Sequence, residues 1–144
     1  MTDKEFKDIG LKDCDVLYCE NYFEEEADKY FRRINDEVKW DIFQVMIYGK
    51  MINQPRKSFF MGNEGRIYNY SKIDRLPVPW SRTMNKINNV LEQLSEEIKI
   101  PEVNACLGNM YDDGNNYICF HSDNINKLIK NSYIISVTLG QERI

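Results

Sequence analysis

The chain has 144 residues, 42% of them hydrophobic and 12% aromatic, which suits one packed core, leaves no room for a second and excludes wholesale disorder. Its formal net charge of -4 excludes nucleic-acid binding by bulk electrostatics, so any such contact needs a local patch. No apolar run approaches the roughly 18 residues of a membrane span and the first residues carry no apolar signal region, so the expectation is a soluble, intracellular protein without membrane contact.

Residues 21–39 predict a helix. Glu24, Glu25 and Glu26 place acid in its first turn, where the helix dipole favours it, and Phe23, Ala27, Phe31, Ile34 and Val38 recur at helical spacing. Residues 41–48 are apolar and β-prone and predict a strand that Gly49 punctuates. Residues 66–70 alternate with aromatic content and predict another. Pro77, Pro79 and Trp80 break the chain before a second amphipathic helix over 81–98, whose stripe is Met84, Ile87, Leu91, Leu94 and Ile98.

Beyond Pro101 the pattern turns to strands. Residues 102–111 and 117–121 flank the polar segment Asp112-Asp-Gly-Asn-Asn116, and the Asp-Gly step predicts a hairpin. Residues 132–140 read as a core strand rich in β-branched side chains. Helices first and antiparallel strands later predict an α+β fold, with helices on one face of a β-sandwich or jelly roll. About five or six strands can be counted where a double-sheet jelly roll needs eight, so the sheet is expected to be incomplete toward the C-terminus.

The chemistry concentrates near the end of the chain. His121 is the only histidine, and His121-Ser-Asp123 places an imidazole and a carboxylate two residues apart. On an extended segment such side chains share a face, and this is half of the 2-His-1-carboxylate arrangement that holds ferrous iron. Asn109 and Tyr111 share a face in the same way and add an amide and a phenol. The alternatives stay open: a lone histidine as an ordinary core or surface residue, Tyr111 as core, Asn109 as a turn cap. Cys14, Cys19, Cys106 and Cys119 match no zinc spacing and are expected to be buried or inert thiols. A zinc site from Cys119 and His121 is the minor reading.

Taken together, these motifs resemble the AlkB-type iron(II)/2-oxoglutarate-dependent dioxygenases. The order Asn109-x-Tyr111, Asp-Gly turn, His121-x-Asp123, Asn131-Ser-Tyr-Ile-Ile-Ser-Val-Thr-Leu-Gly140-x-x-Arg143 is similar to that family's. Upstream, Tyr48-Gly49-Lys50, Pro55-Arg56-Lys57 and Tyr68-Asn-Tyr70-Ser71 resemble its eukaryotic branch that works on duplex DNA. The resemblance covers residues 43–144. It implies a double-stranded β-helix (jelly roll) with two N-terminal helices on one sheet, divided into an extension over 1–40 and a truncated dioxygenase domain over 41–144.

The resemblance also implies the chemistry. Fe(II) would be held by His121 and Asp123, and 2-oxoglutarate, the cosubstrate, by Asn109 and Tyr111. The reaction would hydroxylate an N-methyl group on alkylated DNA, or on RNA, and the product would collapse to formaldehyde and the restored base. The target base must leave the stack. Tyr70 and His121 would sandwich it with Tyr68 at its polar edge, Ile47, Tyr48 and Gly49 would form the apolar finger that fills the gap, and Arg56 and Lys57 would hold the flanking strand or phosphates. On strand and turn statistics alone, Tyr68 and Tyr70 read as core and Pro-Arg-Lys as an exposed turn.

Ile125 stands where the family usually has an acidic residue, which implies an altered base preference. The family's distal histidine and clamping arginines lie downstream of the Leu-Gly-x-x-Arg segment. The expectation is therefore a truncated or split version of a longer polypeptide, completed by a C-terminal half or a second subunit. Two alternatives accompany it: a non-catalytic relic that binds nucleic acid, and an RNA or protein oxygenase of the same fold. The Asn-, Ile- and Lys-rich composition fits an AT-rich genome, viral ones included.

Overall fold

The computed structural model describes residues 4–70, 73–98, 102–121, 123 and 133–142, with the side chains of residues 70, 97 and 98 excluded. The chain starts with a short exposed ribbon, β1 (Lys7–Asp8) paired antiparallel with β2 (Leu17–Tyr18). Helix α1 spans Glu26–Glu37. It begins later than the acidic run predicts, because Asn21 and Glu24 adopt φ of 51° and 43°, left-handed values that no helix continues through. Its buried face is Tyr30, Ile34 and Val38. Phe31, expected on that face, is 41% exposed, because the i, i+4 run through position 30 points at the core instead.

The expected strand over 41–48 is shorter, β3 (Gln44–Ile47), and is followed by an unforeseen β4 (Lys50–Asn53). Between them Tyr48 and Gly49 take φ of 47° and 77°. Both central residues are left-handed, the geometry of a two-residue turn whose twist suits antiparallel strands. Arg75 ties the base of this hairpin down: its guanidinium lies 3.7 Å from the Phe43 ring centroid and donates to the Gln44 carbonyl at 3.0 Å.

Strand β5 (Lys57–Gly62) is buried along almost its whole length. One edge pairs with the far strand β8 (Ala105–Met110), in the register Ser58↔Asn109 and Phe59↔Gly108. The other edge is met at one end by Asp41, which exchanges backbone hydrogen bonds with Ser58 at 2.7 and 3.1 Å, and at the other by Val78, bonded to Phe60 and Gly62. The segment expected at 66–70 is β6 (Tyr68–Tyr70), paired with β7 (Ile73–Arg75).

Helix α2 spans Arg82–Ile98 and buries Met84, Ile87, Leu91 and Leu94, the stripe its sequence predicts. The Ser81 hydroxyl accepts the Met84 N–H at 3.2 Å, and the Glu37 carboxylate reaches across from α1 to accept the Thr83 N–H at 2.8 Å and its hydroxyl at 2.7 Å. The main core joins Tyr30, Ile34 and Val38 of the α1 region to Met84, Ile87 and Leu91 of α2 and to Phe59 and Met61 of β5. Each such side chain contributes roughly 1.5–3 kcal/mol on burial.

Two strand expectations fail. The hairpin between 102–111 and 117–121 does not form. The polar turn is present, with the Asn116 N–H on the Asp113 carbonyl, but Tyr117 then leaves β8 and donates its N–H to the Pro55 carbonyl at 3.1 Å. β8 has β5 as its partner instead. Residues 133–140, the described part of the expected core strand, have no ladder partner among the described residues; Ile135 and Leu139 pack against the core while Tyr133, Ile134 and Val137 stay exposed. Ile125, Asn131, Ser132, Arg143 and the side chain of Ile98 lie outside the described residues.

The cysteines also divide. Cys14 and Cys119 are exposed rather than buried, whereas Cys106 faces the core and burial pushes its thiol up to about 11, so it stays protonated and unreactive.

Candidate functional site

The segment after the polar turn carries His121 and Asp123. One oxygen anchors the imidazole and a second lies near it: Nδ1 lies 2.8 Å from the Cys119 carbonyl, and Nε2 lies 3.5 Å from Asp123 Oδ1. A carbonyl only accepts, so Nδ1 carries the proton. In the neutral ring this leaves the Nε2 lone pair on the side of the carboxylate, the tautomer and orientation that a metal-binding histidine needs. One nitrogen and one carboxylate donor suit Fe(II). Among the described residues, no group of three or more His, Cys, Asp or Glu side chains gathers around a common point.

Asn109 lies near the end of β8, opposite Ser58 in register. Its amide oxygen accepts two hydrogen bonds, from Arg56 Nε at 2.8 Å and from Ser58 Oγ at 2.9 Å. Arg56 is 8% exposed and Ser58 1%. The sequence pattern marks Pro55-Arg56-Lys57 as an exposed turn. The structure instead turns Arg56 inward, where Nη1 also reaches the Tyr117 carbonyl at 3.5 Å. Among the described residues the guanidinium forms no ion pair with a carboxylate. Arg56 thus touches both β8 and the chain leading to His121.

Lys57 stays half-exposed and forms an ion pair with Asp112 at 2.8 Å, holding the polar turn against the start of β5. Tyr111 is half-buried just past β8. Tyr68 lies in β6 with its ring 5.4 Å from that of Phe60, and Tyr70 pairs with Ile73 across the β6–β7 ladder. Tyr48 stands at the hairpin tip and is 101% exposed, with Gly49 beside it; Met46, Ile47, Met51 and Ile52 below them are also exposed.

The structure therefore brings together His121 with Asp123, Asn109 with Arg56, and Lys57 with the polar turn. Tyr48 and Gly49 stand apart on their hairpin. Sequence reasoning passed over Ser58 and Asp112, because their partners lie 51 and 55 residues away and no local motif marks them.

The family described as the 2OG-Fe(II) oxygenase superfamily matches residues 15–144. Among curated proteins, the chain is similar to the DNA oxidative demethylase ALKBH2 of Mus musculus, 30% identical over 118 residues, which are 80% of this chain and 48% of that protein. It is similar to the protein of the same name from Homo sapiens, 28% identical over 138 residues, 94% of this chain and 51% of that one. The Bos taurus protein of that name is 29% identical over 118 residues, 80% of this chain and 41% of its own length. The chain spans about half the length of the curated relatives it matches.

Proposed function

The chain belongs to the 2OG-Fe(II) oxygenase superfamily, and from that membership we propose that it carries the iron-binding and cosubstrate-binding segments of an AlkB-type enzyme that oxidatively demethylates alkylated bases in DNA. The observation that carries this reading is the His121–Asp123 pair, Nε2 and Oδ1 3.5 Å apart with Nδ1 anchored on a carbonyl. The curated relatives named as DNA oxidative demethylases support the substrate class. The family uses Fe(II) and 2-oxoglutarate; bound together, with dioxygen, they supply the oxidising power that hydroxylates an N-methyl group.

The protein's own residues orient and enclose. His121 and Asp123 would hold the metal from one side, the Cys119 carbonyl keeping the Nε2 lone pair available. Asn109 and Tyr111 would hydrogen-bond the cosubstrate. Tyr70 and His121 would sandwich the extruded base, with Tyr68 at its polar edge. The apolar hairpin tip at Tyr48-Gly49 would enter the duplex in place of that base, a role its full exposure and left-handed turn support. With the head of Arg56 buried, Lys57 is the cation of this segment better placed to meet a phosphate.

The family match implies a jelly-roll fold, and we read the two helices over β5 and β8 as one side of it. The match begins at residue 15, and Tyr30, Ile34 and Val38 share a core with Phe59. Both support placing α1 within the oxygenase unit that also contains residues 41–144. No helix among the described residues is long and apolar enough to cross a membrane.

The test is formaldehyde release from an oligonucleotide carrying 1-methyladenine, supplied with iron(II), 2-oxoglutarate and ascorbate. Turnover is expected to need both added cofactors and to fall at least about a hundredfold in His121→Ala. Release that survives the substitution would sink the reading.

A further inference from the structure

We propose that Arg56 and Ser58 are a positioning pair that fixes the side-chain amide of Asn109 in one orientation, so that it meets the cosubstrate as a donor. A carboxamide has two ends of similar shape and opposite chemistry, and an unconstrained asparagine can present either. Here the choice is made from behind. A guanidinium N–H can only donate, so the atom 2.8 Å from Arg56 Nε is necessarily the amide oxygen. The Ser58 hydroxyl, 2.9 Å from the same oxygen, adds a second donor.

Rotating the amide would set an NH2 group against the Arg56 N–H. It would also take the acceptor away from the buried Arg56 Nε–H and from the Ser58 hydroxyl, leaving the guanidinium only the Tyr117 carbonyl. The NH2 is the end that these two donors leave unengaged. It suits an acceptor ligand such as a carboxylate or keto oxygen, and it repels a ligand that could only donate.

The two partners are held independently of Asn109. Ser58 is locked by the β5–β8 register and by its backbone exchange with Asp41 at 2.7 and 3.1 Å. Arg56 follows Pro55, whose carbonyl holds the Tyr117 N–H, and its own Nη1 meets the Tyr117 carbonyl. Both act through Asn109, so they are positioning residues in the sense that they need not touch the reacting atoms. The proposal rests on reading Asn109 as a ligand of 2-oxoglutarate.

The experiment is calorimetric titration of the 144-residue chain, first with Mn(II) as an oxygen-inert stand-in for iron and then with 2-oxoglutarate, in wild type, Arg56→Met and Ser58→Ala. In parallel, the side-chain NH2 resonances of Asn109, assigned by their loss in Asn109→Asp, are followed by nitrogen-15 NMR without ligand. Loss of Arg56 is expected to weaken 2-oxoglutarate binding by about tenfold or more while Mn(II) affinity stays within about twofold. Ser58→Ala is expected to weaken it by a smaller factor, and in both variants the Asn109 resonances should move toward those of a free amide.

The proposal is overturned if both variants bind 2-oxoglutarate as wild type does, or if metal and cosubstrate affinity fall together. If wild type takes Mn(II) but no 2-oxoglutarate, the functional reading fails, and the Asn109 resonances alone decide the positioning role. Should Arg56→Met not fold, Ser58→Ala decides, since it deletes one donor without stranding a charge.

Discussion

At position 108 only a hydrogen atom fits. A Cβ there would lie 2.1 Å from the Phe59 ring, a core aromatic that also packs edge-on against Trp40 with centroids 5.0 Å apart. The ring is buried, so Gly108→Ala is expected to cost about 1–3 kcal/mol through overpacking, read as a lower urea midpoint. The residue matters beyond stability because Asn109 follows it directly, and whatever displaces the Gly108 backbone displaces the amide. Asn109 itself was marked as a candidate by its motif. The reason it points one way was not legible: Arg56 and Ser58 lie 53 and 51 residues upstream, and a Pro-Arg-Lys string carries the composition of a turn. A buried arginine gives no local sign of its burial.

Among the elements, the joint between the two helices depends on one carboxylate. Glu37, at the last position of α1, accepts the N–H and hydroxyl of Thr83 in the first turn of α2, satisfying a donor that α2 cannot satisfy internally. The Thr83 N–H, ahead of its hydroxyl, holds the Glu37 carboxyl below its ordinary value of 4.5 against the opposing effect of burial. A depressed carboxylate contributes stability above its unfolded-state pKa and loses it as pH falls through the folded value. Glu37→Gln is therefore expected to lower stability by about 1 kcal/mol at pH 7. That gap to wild type should close as thermal melts are repeated at pH values falling below 4.5.

The two helices were legible because a 3.6-residue period survives in the sequence wherever one face meets a core. The strands were legible only in part: β3, β6 and β8 lie within expected segments, whereas β5 was missed. β5 reads Lys-Ser-Phe-Phe-Met-Gly and is buried on both faces, so it lacks the alternation that marks a half-exposed strand. Residues 133–140 err the other way: they have a strand's composition, yet without a ladder partner among the described residues composition alone does not make a strand. The Asp-Gly turn was found and its consequence misjudged. A hairpin needs both flanks to pair with each other, and the Pro55 carbonyl took the Tyr117 N–H first.

For the whole molecule, a formal charge of -4 means that affinity for DNA cannot come from a broad positive face. On the proposed reading it would come from shape, above all from the exposed hairpin tip at Tyr48, and from a small number of neutralised phosphates. The dependence of such binding on salt should be shallow, because each phosphate that the protein neutralises adds only about one unit to the logarithmic slope.

The pairing of β5 with β8 also sets an order of events. Joining Ser58 to Asn109 closes a loop of 51 residues, an entropic cost of about 3–4 kcal/mol before any contact offsets it, whereas α1 and α2 are built from neighbours three and four residues apart. Helical structure is therefore expected early in refolding, and the amide of Asn109 is expected to be set only once the β5–β8 pairing closes. Pulsed hydrogen exchange should find the backbone amides of residues 82–96 protected before those of 57–61 and 106–110, and the reverse order would contradict this. A chain caught midway would have its helices without the β5–β8 pairing on which the proposed site depends.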